Sequence, residues 1–117
     1  NKDIIDYANR NFGNERTKFY HKNIYDLLKT DFFSDTIIAS ECLEHLADGK
    51  EIAQELKKHC NTLLITVPYR EPVGYWGKYH LIHNLTKLDF PDFEYYFMDP
   101  YAEITTVPTE EFGQNFY

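Results

Sequence analysis

Short apolar runs alternate with an amphipathic segment in the middle of this chain, and the alternation predicts strands separated by a helix. Residues 36–39 form an apolar run rich in branched side chains and too short for a buried helix, which predicts a strand buried on both faces. Residues 62–67 form a second strand of the same kind. Between them, residues 49–59 have apolar positions at helical spacing, with Asp48 as N-cap and Glu51 as capping-box partner.

The flanking segments extend this pattern. Residues 3–12 carry apolar side chains at helical spacing before Gly13, which predicts a helix that ends at the glycine. Residues 17–21 are enriched in residues that favour strands and predict a short strand. Beyond residue 84 the pattern predicts a short helix and two short strands: residues 86–90, then 93–98, then either 103–107 or 111–117.

Strand, helix and strand in succession predict a parallel pair joined by a right-handed crossover, which is typical of the α/β class. The whole chain is therefore predicted to be α/β with a mostly parallel sheet. Because the late strands are joined by a short connection, one of them is expected to be antiparallel. A length of 117 residues fits one domain.

Charge and cysteine content narrow the function classes. The formal charge is −7, from 12 basic and 19 acidic residues, which argues against a protein that binds nucleic acid through a broad basic surface. Cys42 and Cys60 lack the spacing of a disulfide framework, so a reduced, cytoplasmic setting is expected. No apolar run approaches about 18 residues, the length that a membrane span requires.

The candidate chemistry follows the first apolar run. Glu41, Glu44 and His45 come directly after residues 36–39, and ligands of open α/β sheets bind outside the carboxyl ends of the strands. One helical turn would place these three side chains on a common face. The plainer interpretation is that acidic residues simply favour the first turn of a helix.

Residues 69–84 interrupt the alternation with two glycines, four aromatic side chains, His80 and His83. Because this segment follows a strand end, it is the natural candidate for a loop that covers a substrate. Its histidines either take part in the chemistry or only hydrogen-bond the backbone. The aromatic side chains form either a pocket for the substrate or a hydrophobic plug over the sheet: they are Tyr69, Tyr75, Trp76 and Tyr79.

The chain contains a series of segments: NIYDL, then SDTIIASECLEHL, then a capped helix, then TLLITVP followed by a histidine-bearing loop. This series resembles the middle and end of class I S-adenosylmethionine-dependent methyltransferases. The resemblance covers residues 1–98 and implies a Rossmann-like sheet. On this register, residues 17–21, 36–39 and 62–67 correspond to the third, fourth and fifth strands of the family.

The resemblance also implies roles for single residues. Asn23 falls where the family places an acidic or amide side chain beside the adenine ring, and the backbone of Ile24 would lie next to it. Ser40 and Glu41 fall near the methionine part of the cofactor.

Glu41, Glu44 and His45 match the E-x-x-E-H pattern of metal-using members, which include ubiquinone-pathway O-methyltransferases and small-RNA 2′-O-methyltransferases. A later histidine completes the site in those proteins, and here His83, or with less support His80, would do so. The resemblance thus implies a Mg²⁺ site, with Glu41, His45 and His83 as the catalytic residues. A single histidine, His45 or His83, acting as general base is the alternative.

The chain also departs from the family. Its first strand and glycine-rich turn are absent from these 117 residues, and the acidic residue that would bind the ribose hydroxyls should fall just before Asn1. Residues 1–117 are therefore expected to be a single partial methyltransferase domain, the later two-thirds of the fold, that binds S-adenosylmethionine poorly by itself.

Two functions follow from these observations. The first is S-adenosylmethionine-dependent methyl transfer, with a small-molecule acceptor favoured over nucleic acid by the acidic balance and the aromatic loop. The alternative is a non-catalytic, methyltransferase-like module. In that case the sheet edge left open by the absent first strand would favour self-association or a covering partner.

Overall fold

The computed structural model describes residues 1–75, 77–109 and 113–117. The contacts of the chain divide it into two compact units, Asn1–Phe32 and Phe33–Tyr117. The sequence prediction of one partial domain over residues 1–117 stays a prediction.

The first unit contains helices α1 (Lys2–Phe12) and α2 (Ile24–Leu27). The side chain of Asn1 caps α1 by accepting a hydrogen bond from the backbone N–H of Asp3, at 2.9 Å. Gly13 ends α1 by donating its N–H to the carbonyl of Asn9, at 3.1 Å. The predicted first helix and its glycine stop are confirmed.

The predicted strand over residues 17–21 is wrong, because these residues have no regular secondary structure. The Asn9 side chain replaces a neighbouring strand at Phe19: its amide donates to the Phe19 carbonyl at 2.7 Å, and its oxygen accepts from the Phe19 N–H at 2.9 Å. An asparagine on α1 thus satisfies both backbone groups that a sheet ladder would otherwise pair.

The second unit is built on a five-stranded sheet in the order β1-β2-β5-β3-β4. Strand β1 (Ser34–Ser40) is parallel to β2 (Cys60–Pro68). The connection between them consists of a 3₁₀ turn (Leu43–His45), helix α3 (Gly49–Leu56) and a second 3₁₀ turn (Lys57–His59). The remaining strands are β3 (Tyr96–Met98), β4 (Ile104–Thr105) and β5 (Gln114–Phe116). The strand, helix and strand predicted in the middle of the chain are confirmed.

The α/β class is confirmed, but the prediction of a mostly parallel sheet is wrong. Only β1 and β2 form a parallel pair among the described strands, whereas β2–β5, β5–β3 and β3–β4 are antiparallel. The late strands are two or three residues long, and the connections from β3 to β4 and from β4 to β5 contain no helix among the described residues that could act as a crossover. The predicted antiparallel strand near the C-terminus is thus confirmed. This strand was predicted over either residues 103–107 or residues 111–117. Two residues of the second range, Glu111 and Phe112, lie outside the described residues.

Two smaller predictions fail for local reasons. Residues 86–90 form a turn rather than a helix, because the Asp89 carboxylate accepts the backbone N–H of Thr86 at 2.7 Å, while the Asp89 N–H donates to the Thr86 carbonyl. Asp48 makes no side-chain capping hydrogen bond to α3, so the expected capping box is not formed. Helix α3 begins at Gly49, whose missing side chain permits close approach to the backbone carbonyl of Leu43.

The two faces of the sheet differ in burial. The face containing Ala39, Ile65, Val67 and Phe97 is buried, and α3 adds three apolar side chains to the same core: Ile52, Ala53 and Leu56. On the opposite face of the parallel pair, Ile38 is 65% exposed and its register partner Leu64 is 37% exposed. The prediction that the first strand is buried on both faces is therefore wrong.

Candidate metal centre

The candidate site begins where β1 ends. The N–H of Glu41 donates to the carbonyl of Thr66 at 3.0 Å, and Glu41 then adopts a left-handed backbone conformation with φ of 48°. This conformation turns the chain into the 3₁₀ helix Leu43–His45. Because Glu41 lies outside that helix, the expected helical face shared by Glu41, Glu44 and His45 is not formed.

Glu44 is the buried acid of the site, with only 1% of its surface exposed. Neither carboxylate oxygen accepts a hydrogen bond from another described residue. Burial raises the pKa of Glu44, and the Glu41 carboxylate adds to this, while the backbone N–H of Glu44 itself, His45 and His80 oppose it. A buried carboxylate without hydrogen-bond donors is a position where a cation would compensate a large desolvation cost.

Two histidines lie beside Glu44. The carbonyl of Tyr79 is 2.8 Å from Nδ1 of His45, and since a carbonyl can only accept, Nδ1 carries a proton; in the neutral ring the lone pair is then on Nε2. Nε2 of His45 is 3.9 Å from Oε1 of Glu44. The rings of His45 and His80 meet edge to face, with centroids 4.5 Å apart.

One potential ligand atom from each of Glu44, His45 and His80 lies within 4.8 Å of the others. Ligand atoms around a tetrahedral ion with bonds near 2.0 Å are about 3.3 Å apart, so binding would require small side-chain movements that draw the three together. One carboxylate and two imidazoles suit first-row transition ions such as Zn²⁺, Co²⁺ or Mn²⁺ better than Mg²⁺, which prefers oxygen ligands. The residues present fit a divalent cation, and this donor set favours a transition ion.

The loop that carries His80 is tied to the same turn. The backbone carbonyl of Glu44 accepts hydrogen bonds from the N–H groups of Leu81, at 2.7 Å, and Ile82, at 3.2 Å. At the base of the loop, Arg70 donates its backbone N–H to the Leu85 carbonyl at 3.0 Å. These backbone bonds hold the loop against the turn, and the histidine that lies beside Glu44 and His45 is His80 rather than the favoured His83.

His83 instead faces Glu71, a residue that sequence reasoning missed. Glu71 is 5% exposed, and its Oε2 lies 2.6 Å from Nδ1 of His80, while its Oε1 lies 3.8 Å from Nδ1 of His83. The sequence position of Glu71, shortly after β2, could have predicted its place in the site. The carboxyl ends of parallel strands lie at one edge of a sheet, so Glu71 is expected at the same edge as Glu41.

Glu41 lies apart from the three-residue cluster. Its carboxylate accepts hydrogen bonds from the hydroxyl of Thr66, at 3.1 Å, and from the amide of Gln114. Burial raises its pKa, against the lowering effect of these two hydrogen bonds. The hydroxyl of Ser40 joins the network through that of Thr66, at 2.9 Å.

A groove of about 280 Å³ connects the two acidic positions, since both Glu41 and Glu71 line it. Tyr69 and Tyr75 line the same groove, which places two of the four predicted aromatic side chains at one surface. Tyr79 is 70% exposed and does not contribute, and Trp76 lies outside the described residues. The other lining residues are Pro68, Pro72, Gly113 and Gln114.

The two residues expected near adenine belong to the first unit. The side-chain oxygen of Asn23 accepts the backbone N–H of Tyr25 at 2.9 Å and so caps α2, which Ile24 begins. This is the turn role that Asn23 would have without a cofactor. The adenine contact of Asn23 and Ile24 stays a prediction, as does the cofactor contact of Ser40 and Glu41.

No protein-family model, curated protein or solved structure matches this chain. No helix in the described part of the chain is long and apolar enough to cross a membrane. The resemblance to methyltransferases therefore stays a prediction, and the arguments about function below depend on the site itself.

Proposed function

We propose that this chain is the acceptor-side part of an S-adenosylmethionine-dependent methyltransferase whose acceptor is a small molecule with a hydroxyl group. The observation that carries the proposal is the cluster of Glu44, His45 and His80 at the carboxyl end of the parallel pair. Its buried carboxylate accepts no hydrogen bond from another described residue. Together with the resemblance in sequence, this position favours a Rossmann-like methyltransferase arrangement.

Each part of the site has a task in this proposal. A divalent cation held by Glu44, His45 and His80 would lower the pKa of the acceptor hydroxyl. Glu41 lines the adjacent groove, and burial raises its pKa, so its carboxylate is a stronger base than one in water. Glu41 would take the proton of the acceptor hydroxyl, and S-adenosylmethionine, when bound, would supply the methyl group and leave as S-adenosylhomocysteine.

Titration with S-adenosylhomocysteine tests the proposal. The 117-residue chain is compared with a longer version in which about 40 to 80 residues, the length needed for a strand and a Gly-x-Gly turn, are encoded before Asn1. We expect micromolar binding, measured by calorimetry, only for the longer protein. A longer protein that contains such a turn and shows no binding at millimolar ligand would overturn the proposed activity.

The cysteines bear on where the reaction takes place. Cys42 and Cys60 are both free thiols. Partial burial of its thiol raises the pKa of Cys42, and the neighbouring carboxylates of Glu44 and Glu41 raise it further, so its thiol form is favoured. Two unpaired thiols support the cytoplasmic setting proposed for this protein.

The exposed sheet face supports a second candidate, a non-catalytic module that associates with a partner or with itself. Ile38 and Leu64 present an apolar surface, and β1 is an edge strand of the described sheet. Light scattering at increasing concentration distinguishes the candidates. Self-association that Ile38→Lys abolishes, in a protein that binds neither S-adenosylhomocysteine nor divalent cations, would favour the module over the enzyme.

A further inference from the structure

Glu71 is a buried carboxylate placed between two imidazoles. It lies three residues beyond the end of β2, and its backbone carbonyl accepts the N–H of Asn84 at 2.9 Å. In the part of the chain that the structure describes, the basic groups within 4 Å of its carboxylate are those of His80 and His83. No lysine or arginine in those ranges forms an ion pair with it.

The contact between Glu71 and His80 fixes the chemistry of the imidazole ring. An ionised carboxylate can only accept, so the 2.6 Å contact places the proton of His80 on Nδ1. In the neutral ring the lone pair then resides on Nε2. His45 has the same tautomer for a parallel reason, since its Nδ1 donates to the carbonyl of Tyr79.

We propose that Glu71 is a positioning residue for the candidate metal centre, and that it holds His80 in the tautomer and ring orientation that offer Nε2 to an ion. Metal-ligating histidines commonly donate their other N–H to a carboxylate, and loss of that partner costs about 10- to 100-fold in metal affinity. The inference rests on the metal site of the proposed function and adds a residue that does not itself bind the ion.

His83 has a different part in this arrangement. Its Nδ1 faces the second oxygen of Glu71, and it does not belong to the ligand group found among the described residues. Neither Oε1 of Glu71 nor Nδ1 of His83 has a hydrogen-bond partner among the described residues, so His83 is a neighbour of Glu71 on its other side and not its hydrogen-bond partner. It follows that His80→Ala removes an ion ligand, whereas His83→Ala removes none.

Nitrogen NMR of the imidazoles in the ion-free 117-residue chain at pH 8 tests the inference independently of metal binding. In the wild type we expect the His80 spectrum to show a proton on Nδ1. Glu71→Ala should shift the population toward the Nε2-protonated form, while Glu71→Gln, whose amide oxygen still accepts the Nδ1 proton, should retain the wild-type tautomer. An unchanged His80 tautomer in Glu71→Ala would overturn the inference.

Cobalt titration followed by visible absorption and calorimetry supplies the second measurement. Glu71→Ala should weaken Co²⁺ binding by about 10- to 100-fold and change the absorption envelope, with Glu71→Gln within about threefold of the wild type. Glu51→Gln, on the exposed side of α3, is the control for the lost charge. Equal binding by Glu71→Ala and wild type, or equal losses in Glu71→Ala and Glu71→Gln, would overturn the inference.

The two proposals fail in distinguishable ways. A wild-type chain that binds no Co²⁺ but has the Nδ1-protonated His80 contradicts the metal site and leaves the orienting role of Glu71 intact. A chain that binds Co²⁺ equally well with and without Glu71 contradicts the orienting role alone. His83→Ala should keep Co²⁺ affinity within about threefold, and a loss as large as that of His80→Ala would return His83 to the ligand set.

Discussion

Replacing Glu44 with glutamine should stabilise the ion-free protein and remove its stabilisation by divalent cations. The substitution keeps the shape of the side chain but removes its negative charge. Glu44 is 1% exposed, and its carboxylate accepts no hydrogen bond from another described residue. The change therefore removes the desolvation cost of the carboxylate and, with it, an anionic ligand.

The free-energy cost of burying a charge without partners sets the size of the effect. A buried polar group without partners costs about 1–3 kcal/mol and a charged group costs more, so even though the amide also lacks partners, we expect a net gain of at least about 1 kcal/mol. For a unit of this size that gain raises the unfolding midpoint by about 4–8 °C. An ion at 100 times its dissociation constant stabilises the wild type by about 2.7 kcal/mol, so saturating ion should reverse the order of stability.

Calorimetric melting in chelator and in excess Zn²⁺ checks both parts, with Glu51→Gln as a control of equal charge change. If Glu44→Gln melts below the wild type in chelator, the carboxylate has stabilising partners and the reasoning is refuted. An equal Zn²⁺-induced shift in the two proteins would refute Glu44 as a ligand.

The ionisation of Glu44 makes the free energy of unfolding depend on pH, and the direction of that dependence follows from its pKa shift. The folded-state pKa of Glu44 is raised from 4.5, so the folded protein binds this proton more tightly than the unfolded chain does. The contribution of Glu44 to the free energy of unfolding is fully present below pH 4.5 and is lost as pH rises through the folded-state pKa. Glu44→Gln should remove this loss, and unfolding in chelator at several pH values measures it.

Three further substitutions test the packing around the site. Asn115→Ala should cost about 2–3 kcal/mol in urea unfolding, because the fully buried amide bridges Tyr95 and two backbone carbonyls; a cost below about 0.5 kcal/mol would contradict this. Gly113→Ala should cost about 1–3 kcal/mol, because the added methyl group would overlap the Phe97 ring, and an unchanged melting midpoint would refute the overlap. Burial alone would raise the pKa of Asp89, but hydrogen bonds to its carboxylate lower the pKa below 3.8 overall. The wild type therefore has stability at neutral pH that it loses as pH falls through this folded-state pKa, and Asp89→Asn should remove that stability. Acid unfolding with the same midpoint in both proteins would contradict that assignment.

The middle of the fold was predictable because its signals are local. The apolar runs of β1 and β2 and the helical spacing of α3 are visible within a few residues of sequence. The segment 17–21 has an equally local strand signal, but a strand needs a neighbour, and Asn9 satisfies the backbone of Phe19 instead. The antiparallel pairing of β3, β4 and β5 depends on contacts between short, distant segments, which no local pattern encodes.

The candidate site was predictable to a similar degree. Glu44 and His45 were expected because they follow a strand end, where ligands bind in such sheets. The left-handed conformation of Glu41 separated it from them, and the loop that is hydrogen-bonded to the Glu44 carbonyl places His80 rather than His83 in the cluster. Both effects are three-dimensional, since each depends on where a backbone carbonyl lies.

Glu44 performs two tasks through different atoms, and they can be separated by mutation. Its side chain faces the candidate ion site, whereas its backbone carbonyl anchors the loop at Leu81 and Ile82. A substitution of the side chain changes the ligand set but keeps the carbonyl, so the loop and His80 should retain their positions. Variants at position 44 can thus report on the buried charge and its ion chemistry without the ambiguity of a displaced loop.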